Sequence, residues 1–162
     1  MLPVGTPMPS AVLRDQYGAE VVLGEVDDDI DGPDTVAGPL VVVFFPAAFT
    51  SVCTSELRAL RDSGLARQIP YDESVVAISC DSFLTLRAFA DAEKIDFPLL
   101  SDFWPHGAVS MAYDAFDAES GTSTRTTYVV DVDGVIRWGR ESGLRDARDF
   151  TEARSALLEL IN

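Results

Sequence analysis

The chain has 162 residues, 47% apolar and 24% charged, a composition that suits one globular domain, spanning residues 1 to 162, with a full core. Its 27 carboxylates against 12 Lys and Arg leave a formal charge of −15 with no basic stripe, which excludes nucleic acid and anionic membrane surfaces as partners. The start MLPVGTPMPS lacks the pattern of a secretory signal and no apolar run is long enough to span a bilayer, so a soluble, cytoplasmic protein is expected.

In chain order, AVLRDQYGAEVVL (residues 11 to 23) predicts two short strands about Tyr17-Gly18, an N-terminal β-hairpin. The carboxylates, prolines and glycines of EVDDDIDGPDTVAGP then predict a loop. Within it Asp27, Asp29, Asp31 and Gly32 imitate the start of a calcium-binding loop. The twelfth position is Gly38 where a bidentate glutamate is needed, and no helices flank it, so no metal is expected.

LVVVFF (40 to 45) is continuously apolar and partly β-branched, the pattern of a central strand buried on both faces, and Pro46 ends it. From Ser51 a helix is predicted with Leu57, Leu60 and Leu65 near helical spacing and Gly64 at its frayed end. Strand then helix recurs as SVVAIS (74 to 79) with FLTLRAFADAEK (83 to 94), and more weakly as FPLLSD (97 to 102) with HGAVSMAYDAF (106 to 116). Such alternation implies an α/β sheet flanked by helices. TTYVVDVDGVIRWG (126 to 139) predicts an antiparallel pair about Asp133-Gly134 that ends the sheet. A last helix over 146 to 161 places Phe150, Ala153, Leu157, Leu158 and Ile161 along one face.

Two cysteines, at 53 and 80, are too few for a disulfide framework. Cys53 falls in the first turn of the helix that starts near Ser51, where backbone N–H groups lack partners and the helix dipole presents positive potential. That setting favours a thiolate. Thr50 can aim a hydroxyl at an incoming oxygen or accept from a helix N–H, and Pro46 closes the strand without a competing donor. CTSE is not C-x-x-C, so a dithiol shuttle is disfavoured and a lone activated thiolate remains.

The spacing Pro46-x-x-x-Thr50-x-x-Cys53, between a buried strand and a helix, resembles the active-site signature of the peroxiredoxins. FFPAAFTSVCTSEL, FPLLSDFWPHGAVSMAYDAF and RTTYVVDVDGVIRW resemble the AhpE-type (alkyl hydroperoxide reductase E) one-cysteine branch of that family, over nearly the whole chain. The resemblance implies a thioredoxin-like fold with a central mixed sheet, and a thiol-dependent peroxidase that reduces hydrogen peroxide and organic hydroperoxides. It implies that Cys53 is the peroxidatic nucleophile and that Thr50 hydrogen-bonds thiolate and peroxide. Pro46 would shield the sulfur, Arg125 would hold the thiolate and polarise the peroxide, and Glu56 would orient Arg125. No metal or organic cofactor is implied. The reductants implied are a low-molecular-weight thiol such as mycothiol, then a mycoredoxin or a thioredoxin-like protein, and a homodimer is expected.

Cys80 departs from the one-cysteine pattern. It ends a strand that, if parallel to residues 40 to 45, brings both cysteines to one carboxyl edge of the sheet. It reads either as an inert buried thiol or as a resolving thiol in an atypical two-cysteine peroxidase, with thioredoxin as reductant. Outside enzymes, the rival is a redox-sensing or holdase-like binding protein. His106, the only histidine, reads as structural or interfacial, and Phe49, Phe103 and Trp104 as the rim of a peroxide pocket or a dimer contact.

Overall fold

In the computed structural model, which describes residues 1–24, 35–36, 39–67 and 75–161, chain order begins with the predicted hairpin. Strands β1 (Ala11–Arg14) and β2 (Glu20–Leu23) pair antiparallel, with Arg14 opposite Glu20. The Asp15 carboxylate accepts from the Tyr17 and Ala19 N–H groups and shapes the turn. The segment read as a loop contains a two-residue strand, β3 (Thr35–Val36), parallel to β2. Asp27, Asp29, Asp31 and Gly38 of the calcium-like stretch lie outside the described residues.

The apolar run forms β4 (Leu40–Phe44), and the next one β5 (Val75–Ser79); they pair in parallel and every residue of both is buried. Each is followed by a helix, α1 (Ser51–Asp62) and α2 (Phe83–Glu93). A 3₁₀ turn at Leu65–Arg67 follows α1, after Gly64 takes a positive φ of 67°. Ser82 caps α2 by accepting from the Thr85 N–H at 3.2 Å. Strand β6 (Leu99–Ser101) extends the parallel set and also meets β1.

The third strand-helix repeat is cut short. Helix α3 (Ala108–Ala112) has five residues, and the last residue of the predicted helix, Phe116, instead opens a small hairpin of β7 (Phe116–Asp117) and β8 (Thr122–Ser123). Asp114 stands at a positive φ of 50°, which ends the helical register. The Asp133-Gly134 turn joins β9 (Arg125–Val130) to β10 (Ile136–Ser142), with Gly134 at φ 74° and the Asp131 carboxylate accepting from Asp133 and Val135 N–H.

The main sheet runs β10-β9-β4-β5-β6-β1-β2-β3, so the β9–β10 hairpin does end it. Helix α4 (Thr151–Ile161) starts five residues later than the sequence pattern suggested. Phe150, Ala153 and Leu157 of the predicted face are buried, but Leu158 and Ile161 are 37% and 38% exposed. Among the described residues no helix is long and apolar enough to cross a membrane.

Alternation along β4 divides the core. Val41, Val43 and Phe45 face a cluster built with Cys53, Leu57 and Leu60 of α1, Leu86 and Phe89 of α2, and Leu157 of α4. Leu40, Val42 and Phe44 face the other way, toward Leu13, Leu23, Tyr113, Ala115 and Tyr128. The sheet is therefore covered on both sides, which is why its central strands carry no polar alternation.

Candidate active site

β4 delivers the chain to the carboxyl edge of the sheet, and Pro46 stands half-buried just past its end. Thr50 is the N-cap of α1 in extended conformation (φ −77°, ψ 150°), so Cys53 occupies the first helical turn as its sequence position required. The first ladder bond runs from the Thr54 N–H to the Thr50 carbonyl at 2.9 Å, which leaves the Cys53 N–H ahead of the ladder. Cys53 itself is fully buried, packed in the α1 cluster.

The Thr50 hydroxyl caps no helix N–H; it donates to the Ala47 carbonyl at 2.8 Å. Phe49, immediately before it, holds a positive φ of 65°, a conformation that costs a bulky residue on the order of 1–3 kcal/mol. Its exposed ring meets Phe89 of α2 edge-on at 5.2 Å. Pro46, Thr50 and Cys53 thus share one tight loop-to-helix turn.

One helical turn beyond Cys53, Glu56 points into the protein. Its carboxylate accepts from Arg125 Nη1, from the Arg148 N–H at 2.7 Å, from Arg148 Nε at 2.9 Å and from Arg148 Nη2 at 3.2 Å. Arg125 opens β9, the strand beside β4, and its Nε donates to the Leu144 carbonyl at 2.7 Å. Arg148 also donates to the Thr126 carbonyl and the Thr127 hydroxyl. The three side chains are 0% (Glu56), 3% (Arg125) and 5% (Arg148) exposed.

Two guanidiniums against one carboxylate leave a buried excess of one positive charge. Burial pulls the Arg148 guanidinium below its ordinary value, while the Glu56 hydrogen bonds and charge hold it up; Arg125 opposes it and a negative charge on Cys53 supports it. A thiolate would neutralise the cluster.

Glu56 and Arg125 meet as the sequence reading required, but Arg148 was absent from it. Arg148 lies in a stretch assigned to the last helix, where an inward guanidinium has no periodic signal. The trace that could have exposed it is Asp149-x-Thr151: Asp149 accepts from the Thr151 N–H at 2.9 Å, marking a helix start that leaves Arg148 outside.

Cys80 follows β5, the parallel neighbour of β4, so both cysteines do leave the same edge of the sheet. They face opposite ways. Cys53 belongs to the α1 side, whereas Cys80 continues the alternation of Val76 and Ile78 and sets its sulfur 3.6 Å from the Ser123 hydroxyl, itself bonded to Ser110 of α3. Burial pushes the Cys80 thiol above its ordinary value. His106 bonds the Gly121 carbonyl at 2.7 Å and meets the Phe116 ring edge-on. Phe103 and Trp104 are exposed beyond the end of β6, Trp104 at 83%.

A buried thiol at a helix start, set against excess cationic charge on a mixed sheet, is the equipment of a thiol-dependent oxidoreductase. Comparison with known proteins specifies which. Residues 4–139 match the AhpC/TSA family. The chain is 41% identical over 160 residues to alkyl hydroperoxide reductase E of Mycobacterium tuberculosis and of Mycobacterium bovis, an alignment covering 97% of this chain and 99% of theirs. It is similar to the crystal structure of peroxidoxin BcpB from M. tuberculosis, at 28% identity and a TM-score of 0.76, covering 99% of this chain and 97% of that one. In fold alone it resembles Enterococcus faecalis AhpC, at 23% identity and a TM-score of 0.80, over 98% and 92% of the two chains. The chain belongs to the AhpC/TSA family of peroxiredoxins. It is a thiol-dependent peroxidase with a thioredoxin-like fold, as the resemblance in its motifs implied.

Proposed function

We propose that the peroxidatic residue is Cys53 and that its substrates are hydrogen peroxide and organic hydroperoxides. The thiolate attacks the terminal peroxide oxygen, which keeps its hydrogen. The S–O bond forms as the O–O bond breaks, and the leaving alkoxide or hydroxide takes a proton from water. The sulfur is oxidised to sulfenic acid while the peroxide is reduced to alcohol or water. Arg125 and the Cys53 N–H stabilise charge developing on the two oxygens, Thr50 orients the hydroperoxide, Pro46 excludes water, and Glu56 orients Arg125 and Arg148.

The observation that carries this reading is the placement of buried Cys53 in the first turn of a helix whose next turn holds Glu56 against the buried guanidiniums of Arg125 and Arg148. An external thiol completes the cycle: it condenses with the sulfenic acid, releasing water and leaving a mixed disulfide, and a second thiol regenerates Cys53. A low-molecular-weight thiol of the mycothiol kind, followed by a mycoredoxin or thioredoxin, fits that role in a reducing cytoplasm. The opposed facing of Cys80 supports a one-cysteine cycle, and the exposed Phe49, Phe103 and Trp104 support pairing of two single-domain chains.

The test is the intact mass of the reduced protein just after one equivalent of hydrogen peroxide, for wild type and Cys80→Ser. The reading requires one added oxygen on Cys53 in both. Loss of two hydrogens in the wild type would make Cys80 the resolving thiol, and no rapid change in either would refute the assignment of Cys53.

A further inference from the structure

A second carboxylate approaches the catalytic loop from the next strand. Asp81 follows β5, and its Oδ2 accepts from the Ala48 N–H at 2.9 Å and from the Ser79 hydroxyl at 2.7 Å. Its own carbonyl accepts from the Ser101 hydroxyl of β6 at 2.5 Å, so Asp81 is fixed by two strands of the parallel set. The Ala48 N–H and the Ala47 carbonyl are the two ends of one peptide group. Asp81 holds one end, and the other end accepts the Thr50 hydroxyl at 2.8 Å.

We infer that Asp81 is a positioning residue for peroxide reduction, acting through the Ala47–Ala48 peptide on the Thr50 hydroxyl. The inference rests on the role proposed for Thr50. A carboxylate on the N–H polarises the peptide and makes its carbonyl a stronger acceptor, because hydrogen bonds in series reinforce one another. The Thr50 proton is thereby directed at Ala47, and the lone pairs of its oxygen are turned away from that bond, free to accept from the O–H of an incoming hydroperoxide.

The same bond holds the residue before Phe49, whose left-handed backbone persists only where its surroundings over-determine it. Without the carboxylate the buried Ala48 N–H loses its partner, and the peptide is free to rotate to find another. Rotation of that peptide swings the Ala47 carbonyl and releases Thr50. Nothing in this chain of contacts touches the sulfur, so the ionisation and access of Cys53 are separable from the alignment of the peroxide.

The experiment is a double-mutant cycle between Asp81→Ala and Thr50→Val, with two rates measured for each protein: oxidation by hydrogen peroxide in stopped flow, and alkylation of Cys53 by iodoacetamide. Asp81→Ala is expected to slow oxidation by roughly tenfold to a hundredfold, the loss of one charge-assisted hydrogen bond, and to change alkylation by less than about threefold. In the Thr50→Val background Asp81→Ala should cost nothing further. Asp81→Asn, which keeps an acceptor oxygen for the Ala48 N–H but not the charge, should fall between wild type and Asp81→Ala and decides the question if Asp81→Ala does not fold. Parallel loss of both rates, an undiminished effect in Thr50→Val, or an Asn variant as slow as Thr50→Val would overturn the inference. A Thr50→Val protein as fast as wild type would sink the role of Thr50 itself, and this inference with it.

Discussion

Replacing Glu56 with glutamine changes one oxygen for an amide nitrogen at nearly constant volume, yet it should be among the most damaging substitutions in the chain. The carboxylate takes three hydrogen bonds from two guanidiniums and a fourth from the Arg148 backbone N–H, and all three side chains are almost fully buried. Neutralising it leaves Arg125 and Arg148 facing each other with two uncompensated positive charges out of water. Breaking a buried pair in this way costs about 3–5 kcal/mol. For a chain of this size each kcal/mol moves the midpoint by about 2–4 °C, which gives a fall in Tm of roughly 6–20 °C.

Urea titration followed by tryptophan fluorescence, with both cysteines reduced, should show the midpoint falling at unchanged slope. Charge, not packing, is the stated cause, so Glu56→Gln with Arg148→Met should be more stable than Glu56→Gln alone, because the pair restores the original excess of one charge. A loss below about 1 kcal/mol for the single variant would place the cluster with surface ion pairs and refute the argument. A double variant weaker than the single would refute the charge account specifically.

Two further outcomes follow from the geometry. In a Cys53→Ser protein, Cys80 should resist iodoacetamide near neutral pH and react progressively as pH rises past the ordinary thiol range, since burial holds the proton on; rapid neutral labelling, read by intact mass, would contradict the buried Cys80–Ser123 contact. At Phe49, glycine should be more stable than alanine by about 1 kcal/mol in urea titration, because glycine relieves the positive φ while both lose the ring contact with Phe89. Equal stability of the two would show that no strain is held there.

The central strands were legible because burial on both faces writes itself as an unbroken apolar run, as in Leu40–Phe44, and both hairpins because Gly18 and Gly134 supply the positive φ their turns need. The position of Cys53 was legible because strand, proline and helix start follow one another within ten residues. Arg148 was not, since an inward cation depends on a partner 92 residues away in sequence. The short β7–β8 hairpin escaped for a related reason: its strands have two residues each, too few to show a period, and Phe116 meets Ser123 only through the fold. Leu158 and Ile161 matched the helical period of α4 but lie at the margin of the face that meets the sheet. Asp81 and Glu56 share one property: each is a carboxylate whose partners are chosen by topology, and sequence alone shows only its charge.

The opposed facing of the two sulfurs governs how the molecule keeps time. A chain that closed its own disulfide would leave the sulfenic acid state at a rate set by its own conformational motion, the same in every cell. In the one-cysteine cycle proposed for this chain the wait ends only when a thiol arrives from solution, so its length scales inversely with thiol concentration. The fraction of chains standing oxidised under a steady peroxide supply then becomes a running measure of how much reductant the surroundings hold.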